Sequence, residues 1–437
     1  MPDVIVMHVS FQHRRQRLLA QLGDAIAILP TAPEVIRNAD AHYPYRGDSH
    51  FLYLTGFAEP EAVLVLDGKA GKALLFCRDK NPDSEIWDGF RYGPAAAAEA
   101  FGFDEAYSIS ELDQRLPPLL AEHAALYWAV GRDNGWDARI AGYLQQARQQ
   151  ARVGKDAPQQ YGDLLAMIDE MRLIKDEREI AVLQQAGRIS AEGHVRAMQA
   201  CRPGMMEYQI EAELLYHFVR HGARQPAYES IVAGGANACT LHYAANNARL
   251  NDGELLLIDA GCEFNGYAGD ITRTFPVNGR FSGAQRDVYE VVLAAQLAAI
   301  AAVQPGARLD APADAALRVL VQGMLDLKLL AGSVDGAIES GDYRRFYMHG
   351  IGHFIGLDVH DVGARRPGGQ WRSFQSGMCT TIEPGLYIRP DDRVPVAFHN
   401  IGIRIEDNVL VTDDGHQVYT DDVPKRIDDI EALMKQH

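Results

Sequence analysis

The chain has 437 residues, of which 47% are hydrophobic and 23% are charged, a composition typical of an ordinary globular protein. Its net charge of −17 argues against nucleic acid or an anionic membrane as the main partner, and no stretch approaches the ~20 apolar residues of a membrane span. Because this length is large for a single core, we expect two domains.

The cysteines indicate a reducing compartment. There are five, an odd number, and they are scattered without a C-x-x-C pair, which argues against a disulfide framework or a structural zinc site. The N-terminus, Met1 to Val6, has an acidic residue where a signal peptide has basic ones. We therefore expect a cytoplasmic protein.

The first part of the chain predicts a mixed α/β domain. Strand-like runs occur at 25–29, 51–54, 62–66 and 72–77, and helical patterns at 94–100 and 136–152. A polar stretch with Gly154 and Pro158 follows. Such a stretch is typical of a boundary, so we expect one domain over residues 1–160 and a second over 161–437.

The second part alternates helices and strands differently. Helices are expected at 175–201, 207–221, 283–303 and 311–330, and strands dominate 230–276 and 379–411. The fold class expected for the whole chain is therefore α/β (α+β).

The stretch 255–275 is the most informative one. An apolar run ends at Asp259, and Asn265-Gly266 supplies the positive φ angles of a tight hairpin. Residues 270–275 alternate as in a half-buried strand. If the two strands pair, Asp259 and Asp270 lie side by side, and their repulsion requires a proton or a cation between them. Two unrelated turn aspartates explain this stretch alone equally well.

Three histidines among glycines form the next candidate segment. His349 and His353 have the i, i+4 spacing of a helical zinc pair, and His360 follows, but Gly350 and Gly352 make a helix doubtful. Glycines let the backbone approach a ligand closely, which favours a binding site.

Two acidic residues near the C-terminus complete the set. Glu383 precedes Pro384, which favours an extended backbone and a following turn. In 401–406 the isoleucines share one face, and Arg404 and Glu406 share the other. Taken alone, each segment is equally typical of a surface turn or a solvated strand face.

Together these segments offer four carboxylates and one imidazole: Asp259, Asp270, His353, Glu383 and Glu406. An oxygen-rich set with one histidine suits Mn²⁺, Co²⁺ or Fe²⁺ better than a metal that prefers thiolates. Four negative charges balance two divalent cations, which bridging carboxylates hold ~3.5–4 Å apart in two-metal hydrolases. We expect a shared water that is a hydroxide at neutral pH and attacks a polarised carbonyl.

The motifs resemble those of the pita-bread metallopeptidases, and among them the Xaa-Pro aminopeptidases (aminopeptidase P). They are His349-Gly-Ile-Gly-His-Phe-Ile-Gly-Leu-Asp-Val-His-Asp361, Ile258-Asp-Ala-Gly261, Gly266-Tyr-Ala-Gly-Asp-Ile-Thr-Arg-Thr-Phe275, Ile382-Glu-Pro-Gly-Leu-Tyr387, Gly402-Ile-Arg-Ile-Glu-Asp407, Tyr43-Pro-Tyr-Arg46 and Tyr53-Leu-Thr-Gly-Phe-Ala-Glu-Pro-Glu-Ala-Val-Leu-Val65. The resemblance covers nearly the whole chain. It implies an N-terminal α/β domain followed by a pita-bread catalytic domain.

The resemblance also implies a role for each candidate ligand. Asp259 and Asp270 would bind metal, with Asp270 bridging. His353 would bind one ion, Glu383 would bind metal and act as general base, and Glu406 would bridge. The two ions would most often be Mn²⁺, with Co²⁺, Fe²⁺ or Zn²⁺ as alternatives.

Further residues receive roles by the same resemblance. His242, His349 and His360 would position substrate and steady the tetrahedral intermediate, and Tyr387 and Arg404 would orient ligands.

Trp87 and Arg152 would shape the substrate pocket, partly across a subunit boundary. The implied substrates are peptides with proline in the second position, and the implied assembly is a homo-oligomer, either a dimer or a tetramer.

Three other readings compete with an Xaa-Pro aminopeptidase. An Xaa-Pro dipeptidase shares the fold and all five ligands, but the N-terminal motifs favour the aminopeptidase. A methionine aminopeptidase needs no such N-terminal domain. A pita-bread binding protein or a creatinase-like hydrolase would be expected to lack at least one ligand, and here all are present.

Overall fold

The computed structural model describes residues 2–150, 154 and 156–435. The chain divides into two compact units, Met1–Met171 and Arg172–His437. The boundary predicted at residue 160 lies inside the first unit, because the strand Gln160–Asp163 pairs in parallel with the strand Ala125–Trp128.

The first unit contains helices around one sheet. Its helices are α1 (Pro2–Leu22), α2 (Ser49–Thr55), α3 (Pro82–Asp88), α4 (Gly93–Phe101), α5 (Leu112–Leu120), α6 (Asn134–Gln149) and α7 (Leu164–Leu173). Its strands are β1 (Ile26–Pro30), β2 (Ile36–Asn38), β3 (Ala41–His42), β4 (Val63–Asp67), β5 (Lys72–Cys77), β6 (Glu105–Ser108), β7 (Ala125–Trp128) and β8 (Gln160–Asp163).

Six of these strands form a mixed sheet in the order β6-β5-β4-β1-β7-β8. The central strand β1 pairs antiparallel with β4 and parallel with β7. Its apolar run is buried on both faces, as in sheets covered by helices on each side. Ile26 and Ile28 belong to the core that Leu116 and Ile140 of α5 and α6 also line.

The strand predicted at 51–54 is wrong, because these residues lie in α2. Asp48 caps the helix by accepting hydrogen bonds from the N–H groups of His50 and Phe51, and Gly56 ends it with a φ of 64°. A short apolar run does not distinguish a buried strand from a buried helix, and the two caps decide the outcome here.

The second unit contains the remaining elements. Its helices are α8 (Glu177–Ala200), α9 (Glu207–Arg220), α10 (Gly283–Ala301), α11 (Ala311–Asp326), α12 (Val334–Ser340) and α13 (Ile427–Met434). Its strands are β9 (Gln225–Pro226), β10 (Ile231–Gly234), β11 (Leu255–Asp259), β12 (Cys262–Phe264), β13 (Tyr267–Ala268), β14 (Thr272–Pro276), β15 (Cys379–Ile382), β16 (Gly385–Ile388), β17 (Ile401–Arg404), β18 (Asp407–Val411) and β19 (His416–Val418).

Short antiparallel sheets dominate this unit. They are β10-β11-β14, β13-β12-β9, β15-β18-β19 and the pair β16-β17. Helix α8 packs on β12 and β13, and α10 packs on β17. Asp176 and Glu179 form a capping box at the start of α8, and Ser282 and Gln285 form one at the start of α10. The predicted mixed α/β class with two different domains is confirmed.

The hairpin predicted at 255–275 is only partly correct. Asn265 and Gly266 have φ angles of 50° and 86° and form a tight turn, but this turn joins β12 to β13. The longer strands β11 and β14 pair outside that hairpin, with Asp259 opposite Thr272. Strand β14 is buried along its whole length, so the expected half-buried alternation is wrong.

The cysteine thiols and the lengths of the apolar helices test two of the expectations drawn from composition. All five cysteines are buried and carry free thiols. Among the described residues, no helix combines the length and the apolar character that crossing a membrane requires.

The backbone is packed tightly at Gly261, beside Asp259 and Asp270. A Cβ atom at Gly261 would lie 1.8 Å from the carbonyl oxygen of Gly269. We expect Gly261→Ala to lower the free energy of unfolding by about 2 kcal/mol. For a unit of this size, the thermal midpoint would fall by roughly 4–8 °C.

The matched control is Gly283→Ala, at the start of α10, where a Cβ meets no atom within 4 Å. Differential scanning calorimetry of both variants checks the prediction. Equal midpoints for the two variants would show that the backbone at Gly261 has more room than the structure indicates.

Candidate metal centre

Asp259 and Asp270 approach one cavity from neighbouring strand ends. Asp259 is the last residue of β11, and Asp270 lies two residues before β14. The N–H of Ala260 donates to the carbonyl of Ile271 over 3.0 Å, which holds the two segments in register beyond the ladder. The two aspartates are therefore adjacent, although they do not face each other as a strand pair.

His353 and Glu383 reach the same cavity from a second pair of segments. The N–H of Thr381 donates to the carbonyl of His353, and the N–H of Glu383 donates to the carbonyl of Ile351, both over 2.8 Å. Glu383 lies between β15 and β16, where Pro384 interrupts the pairing. His353 Nδ1 donates to the Phe354 carbonyl over 3.0 Å, which leaves Nε2 free to bind a metal.

Glu406 comes from the junction between β17 and β18. Its N–H donates to the carbonyl of Thr272 over 3.0 Å, and the hydroxyl of Thr272 donates to its Oε2 over 2.7 Å. The expectation that Glu406 could lie on a solvated face is wrong, because its side chain is only 1% exposed. Most of the candidate ligands sit at strand junctions rather than within strands.

The arrangement brings potential ligand atoms together. One ligand atom each from Asp270, His353 and Glu406 lie within 4.8 Å of one another. His353 Nε2 lies 3.4 Å from Asp270 Oδ2 and 3.7 Å from Glu383 Oε1. Three of the five predicted ligands thus form a compact group, and Glu383 adjoins it.

Tyr228, which the sequence analysis missed, links the two aspartates. Its hydroxyl lies 2.6 Å from Asp259 Oδ1 and 2.5 Å from Asp270 Oδ1. The hydroxyl has one hydrogen and can satisfy only one of these oxygens at a time. The second oxygen needs a proton or a cation. No sequence signal marks Tyr228, which precedes β10 in an irregular segment.

Burial makes the carboxyl groups of the cavity harder to ionise. Burial raises the pKa of Asp270, and burial together with Asp270 and Glu383 raises the pKa of Glu406 well above its ordinary value. Burial raises the pKa of Glu383 to about 7, although His353 and Arg404 oppose the shift. Burial lowers the pKa of His353, but Asp270 outweighs it and the net result is a rise to about 9.

Arg404 and Tyr387 connect this group to His349. Arg404 donates from Nη2 to Asp259 Oδ2 over 2.7 Å and from Nη1 to the Tyr387 hydroxyl over 2.9 Å. That hydroxyl lies 2.8 Å from His349 Nε2. Burial, reinforced by Arg404, lowers the pKa of His349 to about 4, so its ring is neutral. Nδ1 then carries the hydrogen for the Gly350 carbonyl, 2.8 Å away, and Nε2 accepts from Tyr387.

The outer histidines line the same cavity, whose volume is about 500 Å³. His242 is exposed in the loop after residue 239, and His360 is exposed with its ring centroid 4.3 Å from that of His353. The cavity is lined by nine of the predicted site residues: His242, Asp259, Asp270, His349, His353, His360, Glu383, Arg404 and Glu406. The tenth, Tyr387, lies behind His349 and Arg404.

The resemblance also predicts that Trp87 and Arg152, in the first part of the chain, shape the substrate pocket. Trp87 lies in α3 of the first unit with 87% of its surface exposed. Arg152 lies outside the described residues. Their contribution to a substrate pocket stays a prediction.

Buried polar residues that the sequence analysis missed hold the ligand segments. The side-chain oxygen of Asn408 accepts from the N–H of Asp270, and its amide donates to the Asp270 carbonyl over 2.6 Å. The hydroxyl of Thr381 accepts from the N–H of His353 over 3.0 Å. Polar residues inside otherwise apolar strands are the signal that could have indicated both.

A buried ion cluster anchors the loop that carries His353 and His360. Asp361 accepts from Arg172 over 2.6 Å and from Lys175 over 2.8 Å, and all three side chains are 1% exposed. Burial raises the pKa of Asp361, but Lys175 and Arg172 outweigh it and hold the pKa below its ordinary value. Loss of one partner would leave a buried charge, which costs about 3–5 kcal/mol.

Glu207 anchors the loop that carries His242. It is fully buried at the start of α9, and its carboxylate accepts from the Gly234 and Ala248 N–H groups, each over 2.8 Å, and from the Tyr243 hydroxyl. The loop that carries His242 is therefore fixed on both sides of the histidine.

The comparisons with known proteins agree with this geometry. Residues 181–413 match the model of metallopeptidase family M24, and residues 11–127 match the aminopeptidase P N-terminal domain. The chain is 47% identical over 432 residues to the Xaa-Pro aminopeptidase of Escherichia coli (strain K12), with 97% of each chain covered. The chain belongs to metallopeptidase family M24, among its Xaa-Pro aminopeptidases.

Solved structures of Xaa-Pro aminopeptidases confirm the fold. The Pseudomonas aeruginosa aminopeptidase PepP matches with a TM-score of 0.97 and 47% identity, with 98% of each chain covered. The zinc-substituted E. coli aminopeptidase P in complex with product matches with a TM-score of 0.95 and 45% identity, also over 98% of each chain. As a family member this chain is a hydrolase, a metallo-exopeptidase, and the M24 family implies divalent metal ions.

The raised pKa values predict that metal binding releases protons. With a pKa of about 9, His353 is protonated at pH 7 in the metal-free chain, and Glu383, with a pKa of about 7, is about half protonated. Because metals bind the deprotonated groups, we expect a net release of at least about one proton per chain. Affinity should fall as the pH drops from 8 through 7 to 6, since protonation of Glu383, with its pKa of about 7, then competes with the metal.

Calorimetric titration with Mn²⁺ at pH 7, in buffers of different ionisation enthalpy, measures this release. The metal-free chain prepared with a chelator is the starting material, and Asp270→Asn is the comparison variant. An enthalpy that does not depend on the buffer would contradict the predicted protonation.

Proposed function

We propose that this enzyme releases the N-terminal residue from peptides with proline in the second position. The observation that carries the proposal is one cavity in which Asp270, His353 and Glu406 converge and which His242 and His360 also line. The E. coli relative, 47% identical over nearly its full length, has the name Xaa-Pro aminopeptidase.

We further propose a centre of two divalent ions, preferably Mn²⁺. Asp259, Asp270, His353, Glu383 and Glu406 would hold them, with Asp270 and Glu406 as bridges. The oxygen-rich donor set, the raised carboxyl pKa values and the shared Tyr228 hydroxyl all fit a site that needs added positive charge. When bound, such ions polarise a carbonyl and lower the pKa of a shared water so that hydroxide is the nucleophile.

Side chains of the protein would transfer the proton of the attacking water and orient the peptide substrate. Glu383, whose Oε1 lies 3.7 Å from His353 Nε2 at the edge of the ligand group, would accept a proton from the attacking water and return it to the leaving nitrogen. Arg404 holds Asp259 in place and, through Tyr387, sets the tautomer of His349. His242, His349 and His360 are proposed to orient the peptide and stabilise the tetrahedral intermediate.

This arrangement suits an amide that has no N–H. A bond to proline lacks the backbone donor that many peptidases recognise. Recognition through the carbonyl, by a polarising centre and the neutral imidazole of His349, avoids that requirement. The acidic residues of the cavity would attract the free α-amine of the substrate, which accounts for removal of a single N-terminal residue.

The main alternative is an Xaa-Pro dipeptidase, which would share the ligand set. Residues 11–127 match the aminopeptidase P N-terminal domain, and this match favours the aminopeptidase. A non-catalytic pita-bread binding protein is disfavoured because all five candidate ligands are present.

The proposal also covers the oligomeric state of the enzyme and its location in the cell. We propose a homo-oligomer, a dimer or a tetramer, supported by the exposed apolar side chains of Ile86, Trp87 and Phe90 in and beside α3. Five buried free thiols suit a reducing cytoplasm.

An assay across a short peptide panel tests the substrate. We expect the Mn²⁺-loaded enzyme to cleave an Xaa-Pro-Xaa tripeptide at least about tenfold faster than the Xaa-Pro dipeptide, and an Xaa-Ala-Xaa control only slowly. Values of kcat/KM for the three peptides provide the measurement. A marked preference for the dipeptide would identify a dipeptidase instead, and no turnover with any metal would support the binding-protein alternative.

Two variants test the assigned roles. Asp270→Ala should abolish activity and reduce bound metal, because it removes the proposed bridge, while the thermal midpoint of the metal-free chain stays close to wild type. His360→Ala should lower kcat by about 10²-fold or more with bound metal retained, since this histidine would act on the substrate.

Metal content by plasma mass spectrometry and turnover are measured on the same samples. Wild-type turnover in Asp270→Ala, or loss of all metal in His360→Ala, would mean that the two residues have been assigned to the wrong roles.

A further inference from the structure

A second cluster of potential metal ligands lies between α8 and α9. His217 and His221 lie four residues apart at the C-terminal end of α9. This i, i+4 spacing places the two side chains on one face of the helix. Glu192 of α8 faces them. One ligand atom from each of the three residues lies within 4.8 Å of the others. None of the three lines the cavity of the candidate metal centre.

The two imidazoles are oriented for coordination. His221 Nδ1 lies 2.8 Å from the His217 carbonyl oxygen and must carry a hydrogen, so Nε2 is the nitrogen that can offer a lone pair to a metal. The ring centroids of His217 and His221 are 4.1 Å apart, with an interplanar angle of 31°. A backbone hydrogen bond to the non-ligating nitrogen is the arrangement that fixes metal-binding histidines.

The carboxylate of Glu192 completes the group. Its Oε2 lies 3.1 Å from His217 Nε2. A cation bound there would replace the hydrogen between these two atoms, and the hydrogen of His217 would move to Nδ1 or leave as a proton. Arg196 is a positive charge close enough to act on His217, and Glu213 of α9 accepts a hydrogen bond from it over 2.7 Å.

We propose that Glu192, His217 and His221 form a second, solvent-accessible binding site for a transition metal ion of the zinc class. Two imidazoles and one carboxylate are a common protein donor set for Zn²⁺, with water in the remaining position. Mn²⁺ and Mg²⁺ prefer oxygen donors and would bind there poorly. Because the ligands come from both α8 and α9, a bound ion would cross-link these helices. The assignment does not depend on the substrate of the enzyme.

Zinc stoichiometry tests this site in the full chain. Metal-depleted wild type and the variant His217→Asn/His221→Asn are dialysed against the same low concentration of free Zn²⁺, and bound zinc is measured by plasma mass spectrometry. We expect the variant to bind one Zn²⁺ per chain fewer than wild type. Its peptidase activity after loading with Mn²⁺ should equal that of wild type.

The control variant His13→Asn/His42→Asn removes two exposed histidines elsewhere in the chain and should bind as much zinc as wild type. Equal zinc in wild type and His217→Asn/His221→Asn would overturn the proposal, and so would an equal loss in the control. If the double variant does not fold, Glu192→Gln replaces it. It should weaken binding of the additional zinc at least about tenfold, and unchanged affinity would overturn the proposal.

Discussion

Four carboxylates share one partly buried cavity in the second unit, and their repulsion is the constraint on which the arrangement around them depends. Asp270 and Glu406 are almost fully buried, and burial raises the pKa of both. Among the described residues that line the cavity, positive charge can come from Arg404 and, when protonated, from the histidines His242, His349, His353 and His360. Ionising all four carboxylates together is costly without added positive charge, and the divalent metal ions that the M24 family implies would supply it.

The backbone supplies the precision that this group requires. Each ligand segment is tied to another ligand segment: Ala260 to Ile271, Glu406 to Thr272, and Thr381 to His353. These hydrogen bonds lie at the ends of short strands, where the chain leaves a sheet and side chains can turn toward one cavity. Close backbone contacts at Gly261 and Gly352 leave no space for a Cβ atom, which explains why glycines accompany the ligands. The geometry therefore follows from backbone register, and side-chain hydrogen bonds such as Arg404 to Asp259 and Thr272 to Glu406 add to it.

Much of the fold and of the candidate site could be predicted from the sequence, because the informative residues are polar groups at fixed positions beside apolar runs. The α/β class, most of the longer helices and the Asn265-Gly266 turn followed from local patterns. The strand predicted at 51–54 was wrong because an apolar run of that length fits a helix as well as a strand. The half-buried alternation predicted for β14 was wrong because both faces of this strand are buried. Tyr228 could not be predicted, since its role depends on contacts with distant segments, and Asn408 was missed although a polar residue inside an apolar strand marks it.

The two histidine-containing clusters show how the same ligand types produce different sites. At the first, His353 lies among carboxylates in a cavity, so oxygen donors dominate the candidate ligands. At the second, two imidazoles and one carboxylate lie at a helix–helix contact open to solvent, so nitrogen donors dominate. A metal ion bound at the proposed second site would join α8 to α9. Because α8 also packs on β12 and β13, next to the segments of Asp259 and Asp270, a cross-link there would stabilise the elements that position the first site.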